Sequence, residues 1–147
     1  MSLLQKYKED FILFVESGFI AVNQFDEDAA VKLFRAAELL QPHNSLPQLG
    51  AGYIHLCKLE LNQAAKVFSD LLMKEPGNDM AKTLLGLSLS LNPAELKKGE
   101  KTLEEAVKAS KDPLVKSLAA NALEFVNKFV KKTPSPAQSS PPVKKKS

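Results

Sequence analysis

Residues 18–42, GFIAVNQFDEDAAVKLFRAAELLQP, and residues 52–76, GYIHLCKLELNQAAKVFSDLLMKEP, carry one pattern written twice. Gly18, Ala30, Phe34 and Pro42 recur at Gly52, Ala64, Phe68 and Pro76, each at an offset of 34 residues. Gly86 continues the series at the same offset; Gly99, Leu103 and Ala106 then run one residue late, and Pro113 three late. A fixed period of this length marks a fold made by stacking one supersecondary unit on the next.

The pattern has a physical reading. The leading glycine is expected to let the two helices of a unit approach, because a side chain there would collide with the small residue opposite, Ala30 or Ala64. The large residue (Phe34, Phe68, Leu103) is expected to fill the gap between one unit and the next, and the prolines punctuate the helices. This small–x3–large–x2–apolar spacing resembles the tetratricopeptide-repeat family over about residues 11–113, although the family's tryptophan position holds Phe14, Gln48 and Lys82. The resemblance implies an all-α, right-handed superhelical stack of three helix-turn-helix repeats. They would cover about residues 11–44, 45–78 and 79–113, with a C-terminal capping helix at 113–131.

Helix-start signals agree with that register. Asp26 is placed to cap a second helix, with Glu27 and Asp28 favourable in its first turn. Asn92-Pro93-Ala94-Glu95 reads as a cap, a proline at the first helical position and an acid at the third; Asp112-Pro113 repeats the device. The expected helices are 3–23, 27–41, 46–59, 62–74, 79–91, 94–110 and 113–131, all in one domain over residues 1–131. In the last of them, Leu114, Leu118, Ala122, Phe125 and Phe129 form an apolar stripe suited to closing the end of a stack. Residues 132–147, rich in Pro, Ser and Lys with no large apolar side chain beyond one valine, are expected to be a disordered tail.

Composition narrows the function. At 147 residues the chain has the length of one domain, and 44% hydrophobic with 25% charged residues argues against wholesale disorder. The formal charge of +3 comes from five lysines in residues 131–147; residues 1–130 carry 15 basic against 17 acidic side chains. Interspersed charges of both signs give no footprint for nucleic acid. The longest apolar run, Phe11 to Val15, is too short for membrane insertion, and charges at Lys6, Lys8, Glu9, Asp10 and Glu16 interrupt any secretory signal. One cysteine forms no internal disulfide, so a cytoplasmic setting is expected.

No catalytic constellation or cofactor motif is present in the sequence, and the chain is read as a non-enzyme without cofactor or metal. His43 and His55 are twelve residues apart, and His55 is expected to pack. Cys57 is expected to be a buried, inert thiol, and the run Asp26-Glu27-Asp28 lacks the alternation and glycine of a calcium loop.

The first helix of each unit carries the candidate site. In this family it lines the concave side, and the inward positions fall on Ile12, Val15, Phe19 and Val22. The second unit places Leu46, Leu49, Tyr53 and Leu56 there, and the third Met80, Thr83, Leu87 and Leu91. Such a stripe would be core in an isolated helix. Here Phe14, Gly18, Ala21 and Gly52 already supply a separate packing face, so a second apolar face calls for a ligand. Where relatives that clamp carboxylates use Lys, Asn and Arg, this chain has Val15, Phe19, Gly50, Met80 and Leu84, none of which pairs with a carboxylate.

Three helix pairs, an apolar groove and the segment Ala109-Ser110-Lys111-Asp112-Pro113-Leu114-Val115-Lys116 are similar to the tetratricopeptide chaperones of bacterial type III secretion. Within that group the chain most resembles the needle-subunit chaperones. The resemblance implies a cytoplasmic protein that pairs with a small helical co-chaperone. It would hold the amphipathic helix of a secreted needle subunit in the groove and prevent premature polymerisation. Chaperones of the secreted translocators share that architecture, and a general protein–protein scaffold is the further alternative.

Overall fold

Gly18, Gly52 and Gly86 each receive a large side chain from the following helix, and this contact sets the architecture. The computed structural model describes residues 2–131, which form seven α-helices and no strand. They are α1 (Leu3–Asn23), α2 (Glu27–Leu40), α3 (Leu46–Cys57), α4 (Leu61–Lys74), α5 (Asp79–Ser90), α6 (Leu96–Ala109) and α7 (Pro113–Phe125). A 3-10 turn, Pro93–Glu95, precedes α6, and a π turn, Val126–Val130, prolongs α7. The expected tail lies outside the described residues. Short connections make hairpins of α1/α2, α3/α4 and α5/α6; α3 also packs on α1 and α2, α5 on α4, and α7 on α5 and α6.

A Cβ on Gly18 would stand 2.6 Å from Cε1 of Phe34, one on Gly52 2.5 Å from Cε1 of Phe68, and one on Gly86 2.8 Å from Cγ of Leu103. The glycines therefore make room for the large residue of their own pair, not for the small one expected from the spacing. In the third pair the helices approach more closely still: the small position is Gly99, where a Cβ would meet Ser90 Oγ at 2.5 Å. Phe34, Phe68 and Leu103 are all buried.

The caps follow the sequence. Asp26 accepts from Ala29 N at 3.1 Å, Asn78 from Ala81 N at 3.0 Å and Asp112 from Leu114 N at 2.9 Å. The turns inside the first two hairpins are copies 34 residues apart. Phe25 (φ 61°) and Leu59 (φ 57°) adopt the left-handed conformation, closed by Asp26 N donating to Ala21 O and Glu60 N donating to His55 O, both at 2.9 Å. Pro93, at the next equivalent position, cannot take a positive φ. The chain instead makes its 3-10 turn, with Asn92 accepting from Ala94 N at 3.2 Å, and α6 starts at Leu96. That extra residue is why Gly99, Leu103 and Ala106 run one late.

The last helix differs from expectation. α7 packs through Val115, Ala119 and Ala122, continued by Val126 in the π turn. Of the stripe thought to close the stack, only Ala122 is buried; Leu114, Leu118, Phe125 and Phe129 are exposed. The smaller residues win because the α5–α6 surface is close to the α7 backbone, with Leu103 filling the space between.

Candidate functional site

Along each first helix the twelve candidate residues separate into two rows, because residues seven apart lie on nearly the same line of a helix. Val15 and Val22, Leu49 and Leu56, and Thr83 form the inner row and are buried. Val15 joins Phe11 and Ala37; Val22 joins Ala30, Phe34 and Ile54; Leu49 and Leu56 join Phe68, Leu71 and Leu84. Thr83 is closed off by donating its hydroxyl to Asp79 O at 2.9 Å. These five side chains belong to the chain's own core and offer a ligand little surface.

The outer row stays open. Ile12 is 46% exposed and Leu46 39%, while Phe19, Tyr53, Met80, Leu87 and Leu91 are half-buried. Ile12, Leu46 and Met80 repeat at the 34-residue period, as do Phe19, Tyr53 and Leu87. An aromatic ladder fixes the first two helices of this face. Phe19 meets Phe34 edge-to-face with centroids 5.1 Å apart and lies tilted on Tyr53 at 5.6 Å. The Tyr53 hydroxyl donates to Asn23 Oδ1 at 2.7 Å, tying α3 to the end of α1. Partial burial, and then the neighbouring Cys57, push the Tyr53 hydroxyl pKa upward. The outer row can offer an apolar, partly aromatic strip to another helix.

Cys57 is exposed, which corrects the expectation of a buried thiol. It ends α3 just before the left-handed turn and borders a shallow depression of about 90 Å³ with Val22, Phe25 and Ile54. His55 is half-buried, with Nδ1 3.2 Å from Glu60 Oε1. A larger cleft of about 500 Å³ lies between α2 and the start of α3, where Val31, Arg35, Glu38, Gln48 and Lys74 mix both charge signs; none of the twelve candidates lines it. Among the described residues no group of three His, Cys, Asp or Glu could hold a metal ion, and no helix is long and apolar enough to cross a membrane.

A further apolar surface on α1 lies outside the twelve candidates. Leu13 and Ile20 on α1 are each 56% exposed, whereas the residues 34 and 68 positions later, Pro47 and Ala81, Ile54 and Ser88, are buried. In α3 and α5 these positions are covered by the preceding hairpin; no described helix precedes α1. The 34-residue period held the signal, since a position buried in two units and apolar in the first predicts an open interface there. No protein-family model, curated protein or solved structure matches the chain.

Proposed function

We propose that this chain is a right-handed tetratricopeptide-type stack acting as a cytoplasmic chaperone of type III secretion. It holds an amphipathic helix of a secreted subunit, by resemblance the needle subunit, and prevents its premature polymerisation. The observation that carries the reading is the open outer row: Ile12, Leu46 and Met80, with Phe19, Tyr53 and Leu87, repeated at one period on α1, α3 and α5 and left partly uncovered by the chain itself. An amphipathic helix laid across three such strips would place its i, i+3, i+4 and i+7 residues against them. Burial of ~800 Å² of apolar surface has a gross value of ~20 kcal/mol at ~25 cal/mol per Å². Association entropy and ordering of the ligand remove most of it, leaving a binder that can later release its client.

The exposed pair Leu13 and Ile20 supports a second contact, with the small helical co-chaperone packing on that side of α1. The test is native co-purification of the full chain, with mass spectrometry of whatever stays bound at ~0.3 M salt, where exposed ionic contacts are screened. Recovery of one or two short helical proteins, lost with Ile12→Glu and Leu46→Glu while the helical signal persists, supports the reading. A translocator in their place moves the assignment to the sister subfamily. Large folded partners that dissociate in salt would overturn it in favour of a scaffold.

A further inference from the structure

We infer that the chain's own C-terminal segment, Pro141-Pro142-Val143-Lys144-Lys145-Lys146, which lies outside the described residues, docks on the turn between α1 and α2. A shallow depression of about 90 Å³ opens at that turn, lined by Val22, Phe25, Ile54 and Cys57 together with Glu27 and Lys58. Phe25 is 91% exposed at φ 61°. The left-handed conformation is unfavourable for a residue with a Cβ, and glycine or asparagine would close the same turn. The ring therefore serves neither the turn nor the core, and it borders the depression as an open apolar platform.

The occupant follows from where the described chain ends. Three side-chain contacts run along the edge formed by the hairpin turns. Glu27 meets Lys58 at 3.2 Å, joining the first turn to the second, and Asn62 meets Asn92 at 3.3 Å, joining the second to the third. Lys131, the last described residue, pairs with Glu100 one helical turn into α6. The chain is thus held at this same edge, separated from Phe25 by the steps α6 to α5, α5 to α3 and α3 to α1. Neighbouring helix axes lie ~8–10 Å apart, which makes the distance roughly 24–30 Å. The ten residues from Lys131 to Pro141 cover roughly 31 Å at ~3.1 Å per extended residue.

Chemistry agrees with the reach. A proline pair is pre-set for the polyproline helix, which docks on aromatic-lined surfaces at little entropic cost. Pro141, Pro142 and Val143 supply the apolar contact to Phe25 and the depression. The three lysines that follow meet Asp26, Glu27, Asp28 and Glu60, acids that only Lys32 and Lys58 offset locally. The short tether gives the segment an effective concentration on the order of 1 mM. A contact with Kd of about 0.1 mM is then about 90% formed within one chain. The inference stands on this edge alone and does not depend on the chaperone reading.

NMR of the full chain with a nitroxide on Ser147→Cys, in a Cys57→Ser background, tests it. The expected result is selective broadening of the Phe25, Glu27 and Lys58 amides, sparing Leu39 and Met73 at the opposite ends of α2 and α4. Phe25→Asn, which keeps the left-handed turn without the ring, should abolish the effect, as should Lys144→Glu with Lys145→Glu and Lys146→Glu. With Cys57 retained, docking covers the thiol, and the same lysine changes should speed its alkylation by a bulky maleimide about 10-fold. Circular dichroism checks that Phe25→Asn remains helical. Broadening that is absent from this turn, or that survives the lysine changes, overturns the inference; so does an unchanged Cys57 rate. Broadening in an isotope-labelled, untagged chain mixed with tagged, unlabelled chain would make a second copy the occupant and overturn it as well.

Discussion

Gly50 exists for Phe34: a Cβ on that glycine would stand 2.6 Å from Cε1 of the ring. Gly18 makes the same allowance from the other side, so the ring is held between its own hairpin and the next. One aromatic residue thereby joins two repeats, and two glycines on different helices are needed to admit it.

Gly50→Ala should therefore cost about 1–3 kcal/mol, the usual penalty for overpacking a filled core. Gly77→Ala is the matched control, because none of the described residues lies within 4 Å of the added methyl and its φ is not positive. Urea unfolding of the two variants checks this; equal midpoints would show that Phe34 can move aside.

The left-handed turns store strain that a glycine would release. Leu59, at φ 57° and 68% exposed, loses little packing on substitution. Leu59→Gly should raise stability by about 0.5–1 kcal/mol, the relief at positive φ less the added freedom of the unfolded chain. Leu59→Ala should bring no gain, and a thermal melt separates the two.

Ser90 is fully buried, and its Oγ has no hydrogen-bond partner among the described residues. It sits where α5 meets Gly99 of α6, in space too tight for a larger side chain. Ser90→Ala removes the uncompensated hydroxyl at nearly constant volume and should stabilise the fold by about 1 kcal/mol. Ser90→Val should destabilise it, and denaturant titration reads both.

The turn between α3 and α4 carries a small pH dependence. Lys58, hydrogen-bonded to Glu60, and then His55 hold the Glu60 carboxyl below its ordinary pKa of 4.5. A carboxyl whose folded pKa is depressed stabilises the fold above the unfolded value and loses that contribution as pH falls through the folded one. Its share of acid destabilisation therefore falls below about pH 4.5. Carboxyl-detected NMR titration should place Glu60 below that value and show it rising in Lys58→Ala.

The 34-residue period, the capping residues and the apolar patterning determined the all-helical class and nearly every helix boundary, because caps and periodicity act through residues close in sequence. The delayed third repeat was also legible as a one-residue lag, and Pro93 explains it by forbidding the turn used at Phe25 and Leu59. Which apolar residue faces open space was not legible. Val15 and Ile12 read alike as inward positions, yet Val15 is buried and Ile12 is 46% exposed. The rotation of a helix about its own axis decides between them, and the neighbouring hairpin sets that rotation. In α7 the same choice went to Val115, Ala119, Ala122 and Val126 over the larger stripe, since short side chains let the helix sit closest to Leu103. Exposure is a property of what packs against a residue, and only the tertiary structure supplies that neighbour.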